Sequence, residues 1–139
     1  MTNYLEAAIR THILNDPVLA SKLSDDGVYF SSLPQEAEVS AIVLQEISGV
    51  DPSPTHNGRS GVQRRRFQFT IWTDCVLKRV EIKARLDRVF DSKALEVGGS
   101  GGVYCGRVAK VGQADLGKDP GRNLYMYAVD FMFDEQVFV

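Results

Sequence analysis

Apolar and polar residues alternate most regularly in two stretches of the chain. Phe67, Phe69 and Ile71 alternate with Gln68, Thr70 and Trp72, which predicts a strand over 62–72. Tyr125, Tyr127, Val129, Phe131 and Phe133 fall on one side of a second strand over 123–133, with Met126, Ala128, Asp130 and Met132 on the other. Residues 41–48 are apolar on both sides, Ala41, Val43 and Ile47 against Ile42 and Leu44, as in a strand covered on both faces. Residues 103–111 supply a further strand. Helical spacing appears in Leu5, Ala8, Ile9, His12 and Ile13, behind an Asn3 to Glu6 capping box. Asp16-Pro17 reads as the cap and first position of a short helical turn through Leu23, followed by an Asp25-Asp26-Gly27 turn and a short extended piece, Val28–Phe30.

Asp74 is placed to cap a second main helix over 75–91. Its apolar residues (Val76, Leu77, Val80, Ile82, Ala84, Leu86, Val89, Phe90) spread over roughly 240°, wider than the stripe a helix on one sheet face needs. The excess implies either contacts beyond the domain's own core or a crowded core under a covering loop. Three polar, glycine-rich segments separate these elements: 49–61, 98–102 and 115–122. The order predicts one α+β domain over 1–139: a four-stranded, mainly antiparallel sheet with two main helices on one face, order α-β-β-α-β-β, each strand pair joined as a hairpin.

Valine (16) outnumbers leucine (11), which favours a sheet-rich core. The net charge of −2 hides a strong segregation. Residues 1–58 carry −6, residues 59–93 carry +6, and residues 94–139 carry −2. The acidic total excludes a protein that coats nucleic acid through overall positive charge. No apolar run is long enough to span a membrane, and the first residues do not read as a signal peptide.

Catalytic chemistry needs convergent titratable groups, and the sequence offers few. His12 falls on the apolar face of the first helix, and His56 in the polar loop, where it is poorly placed for general-base work. Cys75 and Cys105 have no ligand-like spacing, so neither a zinc site nor any cofactor is expected. The GGSGG run at 98–102 lacks the following Lys-Ser/Thr of a phosphate loop and reads as a linker. Arg64-Arg65-Arg66 suggests phosphate contacts. On a strand, however, Arg64 and Arg66 share one face and Arg65 the other, which favours carboxylate partners, some of them in the acidic N-terminal segment.

The ordered strings resemble the tail terminator (tail completion) proteins of long-tailed bacteriophages and prophages across nearly the whole chain. These strings are Leu33-Pro34, then Ile42-Val43-Leu44-Gln45 running into Ile47-Ser48-Gly49, and a polar loop with His56 and Gly58. They continue with Arg64-x-Arg66-x-Gln68 and Ile71-Trp72, a helix spaced Leu77, Ala84, Leu86, and a last strand with Leu124-Tyr125 and Asp130-Phe131. The resemblance implies a non-enzymatic virion-assembly protein without cofactor or metal. It implies a ring, typically of six subunits, on the head-proximal end of the tail tube, which stops polymerisation and meets the head connector. Partners would be the chain itself, the tail tube protein and the head–tail connector protein. DNA would pass through the lumen without specific binding, and no membrane would be involved. The protein would act in the host cytoplasm during assembly and then in the virion tail. The alternatives are a head-side connector or neck protein, and a nucleic-acid-binding α+β module. Candidate partner-binding residues are Asp51, His56, Asn57, Arg59, Arg64, Arg65 and Arg66; candidate subunit-interface residues are Arg79, Lys83 and Asp87. In a head-to-tail ring the basic middle segment of one subunit is expected to face the acidic segment of the next.

Overall fold

The computed structural model describes residues 5–50, 61–97 and 103–137. Helix α1 (Leu5–Asn15) buries Leu5, Ala8, Ile9 and Ile13, the stripe its spacing dictates. Helix α2 (Pro17–Lys22) begins where proline's fixed φ suits the first helical position, and the Asp16 carboxylate accepts from the Leu19 N–H at 3.0 Å. A single 3-10 turn (Ser24–Asp26) leads into strand β1 (Val28–Phe30). Strands β2 (Ala41–Val50) and β3 (Gly61–Thr73) form the expected antiparallel pair, with Leu44 opposite Phe69. Helix α3 (Val76–Phe90) follows, then β4 (Lys93–Val97), β5 (Val103–Asp119) and β6 (Leu124–Val137).

These strands make one six-stranded sheet in the order β1-β2-β3-β6-β5-β4. It is mixed, because β1 runs parallel to β2 while the remaining pairs are antiparallel. The four-stranded, α-β-β-α-β-β expectation is therefore corrected: the sheet has two more strands, and three helices accompany it. The extended piece at 28–30 is a true edge strand, β4 lies on the opposite edge, and β5 continues through most of the segment expected to be a loop. Cys75, not Asp74, is the N-cap of α3, and it makes no side-chain cap bond.

Bulges interrupt the ladders at five places: Glu46/Ser48 in β2, β5 between Cys105 and Val108 opposite Lys93/Leu95 of β4, and Cys105/Arg107, Lys110/Gly112 and Asp115/Gly117 in β5 against β6. Each extra residue bends its strand and increases local twist, and the sheet curls into a half-barrel. The helices fill one face. Five phenylalanines form the centre of that core: Phe67, Phe69, Phe90, Phe131 and Phe133. Phe69 packs edge-on against Phe90 at 5.2 Å and Phe131 at 5.3 Å, the arrangement that ring quadrupoles favour. On the other face a smaller cluster holds Leu33, Ala41 and Val43 against Tyr29, Ala37, Trp72 and Leu124. Arg122 pins this covering segment, donating to the carbonyls of Leu33 (2.7 Å) and Pro34 (3.2 Å) while lying over the Trp72 ring.

Candidate functional site

The arginine run sits on β3 between β2 and β6, and the pleat separates its members as the sequence predicts. On the face away from the helices, Arg64 bonds Asp134 at 3.0 Å and Arg66 bonds Asp130 at 2.6 Å. On the helix face, the Arg65 guanidinium takes both oxygens of Glu46 (2.8 and 2.9 Å), Glu135 (3.0 Å) and Glu6 (3.3 Å), and it stands over the Phe67 ring. Its bonds to Glu46 push the Arg65 pKa further up and hold the Glu46 carboxyl below its usual range. Glu6 and Glu46 belong to the acidic N-terminal segment, so part of the charge segregation along the sequence is neutralised within one subunit. One further pair does the same, Arg85 with Asp16 at 2.6 Å.

The candidate interface residues on α3 are likewise engaged internally. Arg79 faces inward, forks onto Asp115 at 2.8 and 3.1 Å, and lies over the rings of Tyr125 and Tyr127. Lys83 and Lys110 share the Asp87 carboxylate at 3.1 and 3.2 Å, and Asp87 holds the Lys83 ammonium above its ordinary pKa. Beside the exposed Lys78, Glu81 and Arg88, α3 also leaves large apolar side chains to solvent. Val76, Leu77 and Val80 are between 45% and 65% exposed, while Ile82, Leu86 and Phe90 point into the core. The wide apolar arc of this helix thus divides into a buried stripe and an uncovered one. Asp51, His56, Asn57 and Arg59 lie outside the described residues.

His12 packs edge-on against Phe90 at 5.2 Å, and burial lowers its pKa, as suits a neutral core imidazole. Cys105 is buried, and desolvation pushes its thiol up to about 12, far from a reactive thiolate. Among the described residues no group of three His, Cys, Asp or Glu side chains is arranged to hold a metal. Among the described residues no helix is long and apolar enough to cross a membrane.

The ion pairs make stability depend on pH in a defined direction. Asp16 is held low chiefly by Arg85, Glu46 chiefly by Arg65, and Asp115 by the Gly117 N–H and then by Arg79. A carboxyl with a depressed folded pKa contributes stability that is fully present above its unfolded value, near 4, and lost as pH falls through the folded value. Urea midpoints are therefore expected to hold from pH 7 to about 5 and to fall below about 4. Asp16→Asn, which keeps a cap but loses the charge, should flatten part of this slope. Asp16→Ala should also cost about 1 kcal/mol at neutral pH through the lost cap.

No protein-family model matches the sequence, and no curated protein matches it. The fold does have a counterpart among solved structures: a chain from the virion of a native gene transfer agent particle. The two superpose with a TM-score of 0.76 over 96% of this chain and 95% of that one, at 15% sequence identity. The two chains therefore share one fold from end to end.

Proposed function

We propose that this chain is a structural protein of a phage-like particle and, within it, a tail terminator: a subunit of a ring, hexameric when assembled, that caps the head-proximal end of the tail tube. The observation that carries the reading is the end-to-end fold likeness to a chain of a gene transfer agent virion. Two further features support it. The ordered strings from Leu33-Pro34 to Asp130-Phe131 resemble tail terminators, and the uncovered apolar stripe of α3 suits a subunit that completes its packing against neighbours. The work of such a protein is interface physics. One ring face resembles a further layer of tube, and the other meets the head connector without templating another layer. Closure of the ring needs two different complementary patches on each subunit.

In this reading α3 and the sheet edges make the subunit contacts, with Arg79, Lys83 and Asp87 setting the shape of the α3 face. The segment 49–61 and its stem, with Asp51, His56, Asn57, Arg59 and Arg64 to Arg66, meet the tube or the connector. Electron microscopy of the protein mixed with purified tail tubes tests the role. Rings at one end of each tube are expected; uniform decoration or no binding overturns it, and binding to DNA-filled heads alone assigns the protein to the head side. Deleting residues 52–58 should leave the urea midpoint within experimental error and abolish capping. Tails of normal length on infectious particles carrying that deletion would remove the segment from the mechanism.

A further inference from the structure

The two edges of the sheet are each only half covered, and at opposite ends. β1 covers β2 only from Ile42 to Leu44, where the Ile42 N–H donates to Gly27 and the Leu44 carbonyl accepts from Ser31. The same alternation turns the N–H and C=O of Glu46 outward, so among the described residues no strand pairs with this side of β2 from Gln45 onward. On the far edge β4 covers β5 only up to Val108, and the Asp91 carboxylate caps the Lys110 N–H. Beyond it, β5 is open from Val111 to Asp119. Proteins protect such edges with charges, prolines or bulges. Bulges are present here, but the extra residue at three of them is aliphatic: Ile47 on β2, and Val111 and Leu116 on β5. These three, with Phe30 at the end of β1, are each between 43% and 47% exposed. An open groove of about 450 Å³ beside the β2 edge is floored by Phe30, Leu44 and Phe67 and flanked by Glu6 and Glu46.

We infer that the occupant of the β2 edge is a second copy of this chain, presenting its own β5 edge. The inference rests on the ring reading above and names the contact that would close the ring. Strand direction permits it. β2, β3, β6 and β5 alternate, so two copies side by side with their helices on the same face bring β5 of one antiparallel to β2 of the next. Charge agrees. The β1 end carries Asp25, Asp26, Glu36 and Glu38, none in an ion pair with a described residue, against Arg10 and Arg122. The β4–β5 end carries Lys93, Arg107 and Lys118 against Glu96 and Asp119. An acidic edge that meets a basic one favours head-to-tail joining and disfavours the pairing of two like edges. Lys118 lies at the C-terminal end of the open β5 stretch, which in this arrangement meets the start of the open β2 stretch at Gln45. The contact is heterologous, so it repeats from copy to copy and closes when the rotation permits.

Cysteine crosslinking tests this directly. In a Cys75→Ser background, with Cys105 buried, the double variant Ile47→Cys/Leu116→Cys is treated with a short bismaleimide in the presence of tail tubes. A ladder of covalent dimer, trimer and higher species is expected. Each single variant alone should give none, and an equimolar mixture of the two singles should give dimers only. Rings visible on tubes without a ladder would overturn the edge contact while leaving the terminator reading intact. A ladder without capped tubes would uphold the contact and remove the terminator role. Self-crosslinking of either single variant would show like edges paired and would overturn the inference. In parallel, Val111→Lys/Leu116→Lys should keep the native urea midpoint and lower the ring population at least tenfold; an unchanged ring population would also overturn it.

Discussion

Arg65→Ala is expected to destabilise the folded subunit by about 2–3 kcal/mol, measured as a shift in urea midpoint at neutral pH. The estimate follows from what the guanidinium holds. It bridges Glu46 on β2, Glu135 on β6 and Glu6 on α1, so three elements converge on one side chain. The Arg65 and Glu135 side chains are largely withdrawn from solvent, so screening is weaker than for an exposed pair. Removal leaves three carboxylates close together, two of them on strands that cannot move apart. A fully buried pair broken this way costs about 3–5 kcal/mol, and the partial exposure of Glu46 and Glu6 reduces that figure. Arg64→Ala is the control. Its bond to Asp134 is a single contact from an exposed side chain, worth at most about 1 kcal/mol. Arg65→Lys should fall between, since one ammonium cannot reproduce the two-pronged contact with Glu46. If Arg65→Ala costs no more than Arg64→Ala, water already screens the network and it does not tie α1 to the sheet.

That network also shows how much of the molecule the sequence discloses. Strict alternation places Arg65 on the opposite face from Arg64 and Arg66, and the carboxylates of the N-terminal segment are correctly suggested as partners. β3 and β6 are legible because each is paired on both sides, and β2 because its first half, Ala41 to Leu44, is buried on both faces, so burial leaves a readable apolar pattern. β5 is legible only in its first half. Three bulges shift its parity, and its outer half is unpaired on one edge, so Asp115-Leu116-Gly117-Lys118-Asp119 carries no period of two and reads as the start of a turn-rich loop. β4 is five residues long and mostly exposed, which gives it no signal at all. Arg79 escapes for a different reason. Its inward position depends on Asp115 and the Tyr125 and Tyr127 rings, residues far away in sequence that no local pattern links to α3.

Leu77→Asp/Val80→Asp is expected to leave the isolated subunit's stability within about 0.5 kcal/mol of the parent and to lower ring assembly on tubes by at least a hundredfold. Both side chains are more than half exposed in the subunit, so their removal opens no cavity. Both lie in the first turns of α3, where added carboxylates are favoured by the helix dipole. In the ring reading the same side chains are covered by a neighbour. Burial of a leucine or valine is worth about 1.5–3 kcal/mol each, and about 1.4 kcal/mol corresponds to a factor of ten in association. Losing both, and burying two charges in their place, therefore exceeds two decades at every subunit contact. Counts of capped tubes by electron microscopy, beside urea melts of the same preparations, read the two quantities separately. Capping that survives the double substitution would leave this face of α3 in solvent within the particle and would put the whole burden of ring closure on the β2 and β5 edges. In that case Val111→Lys/Leu116→Lys would have to abolish assembly alone, because the edge contact would be the one left in this reading to hold neighbouring subunits together.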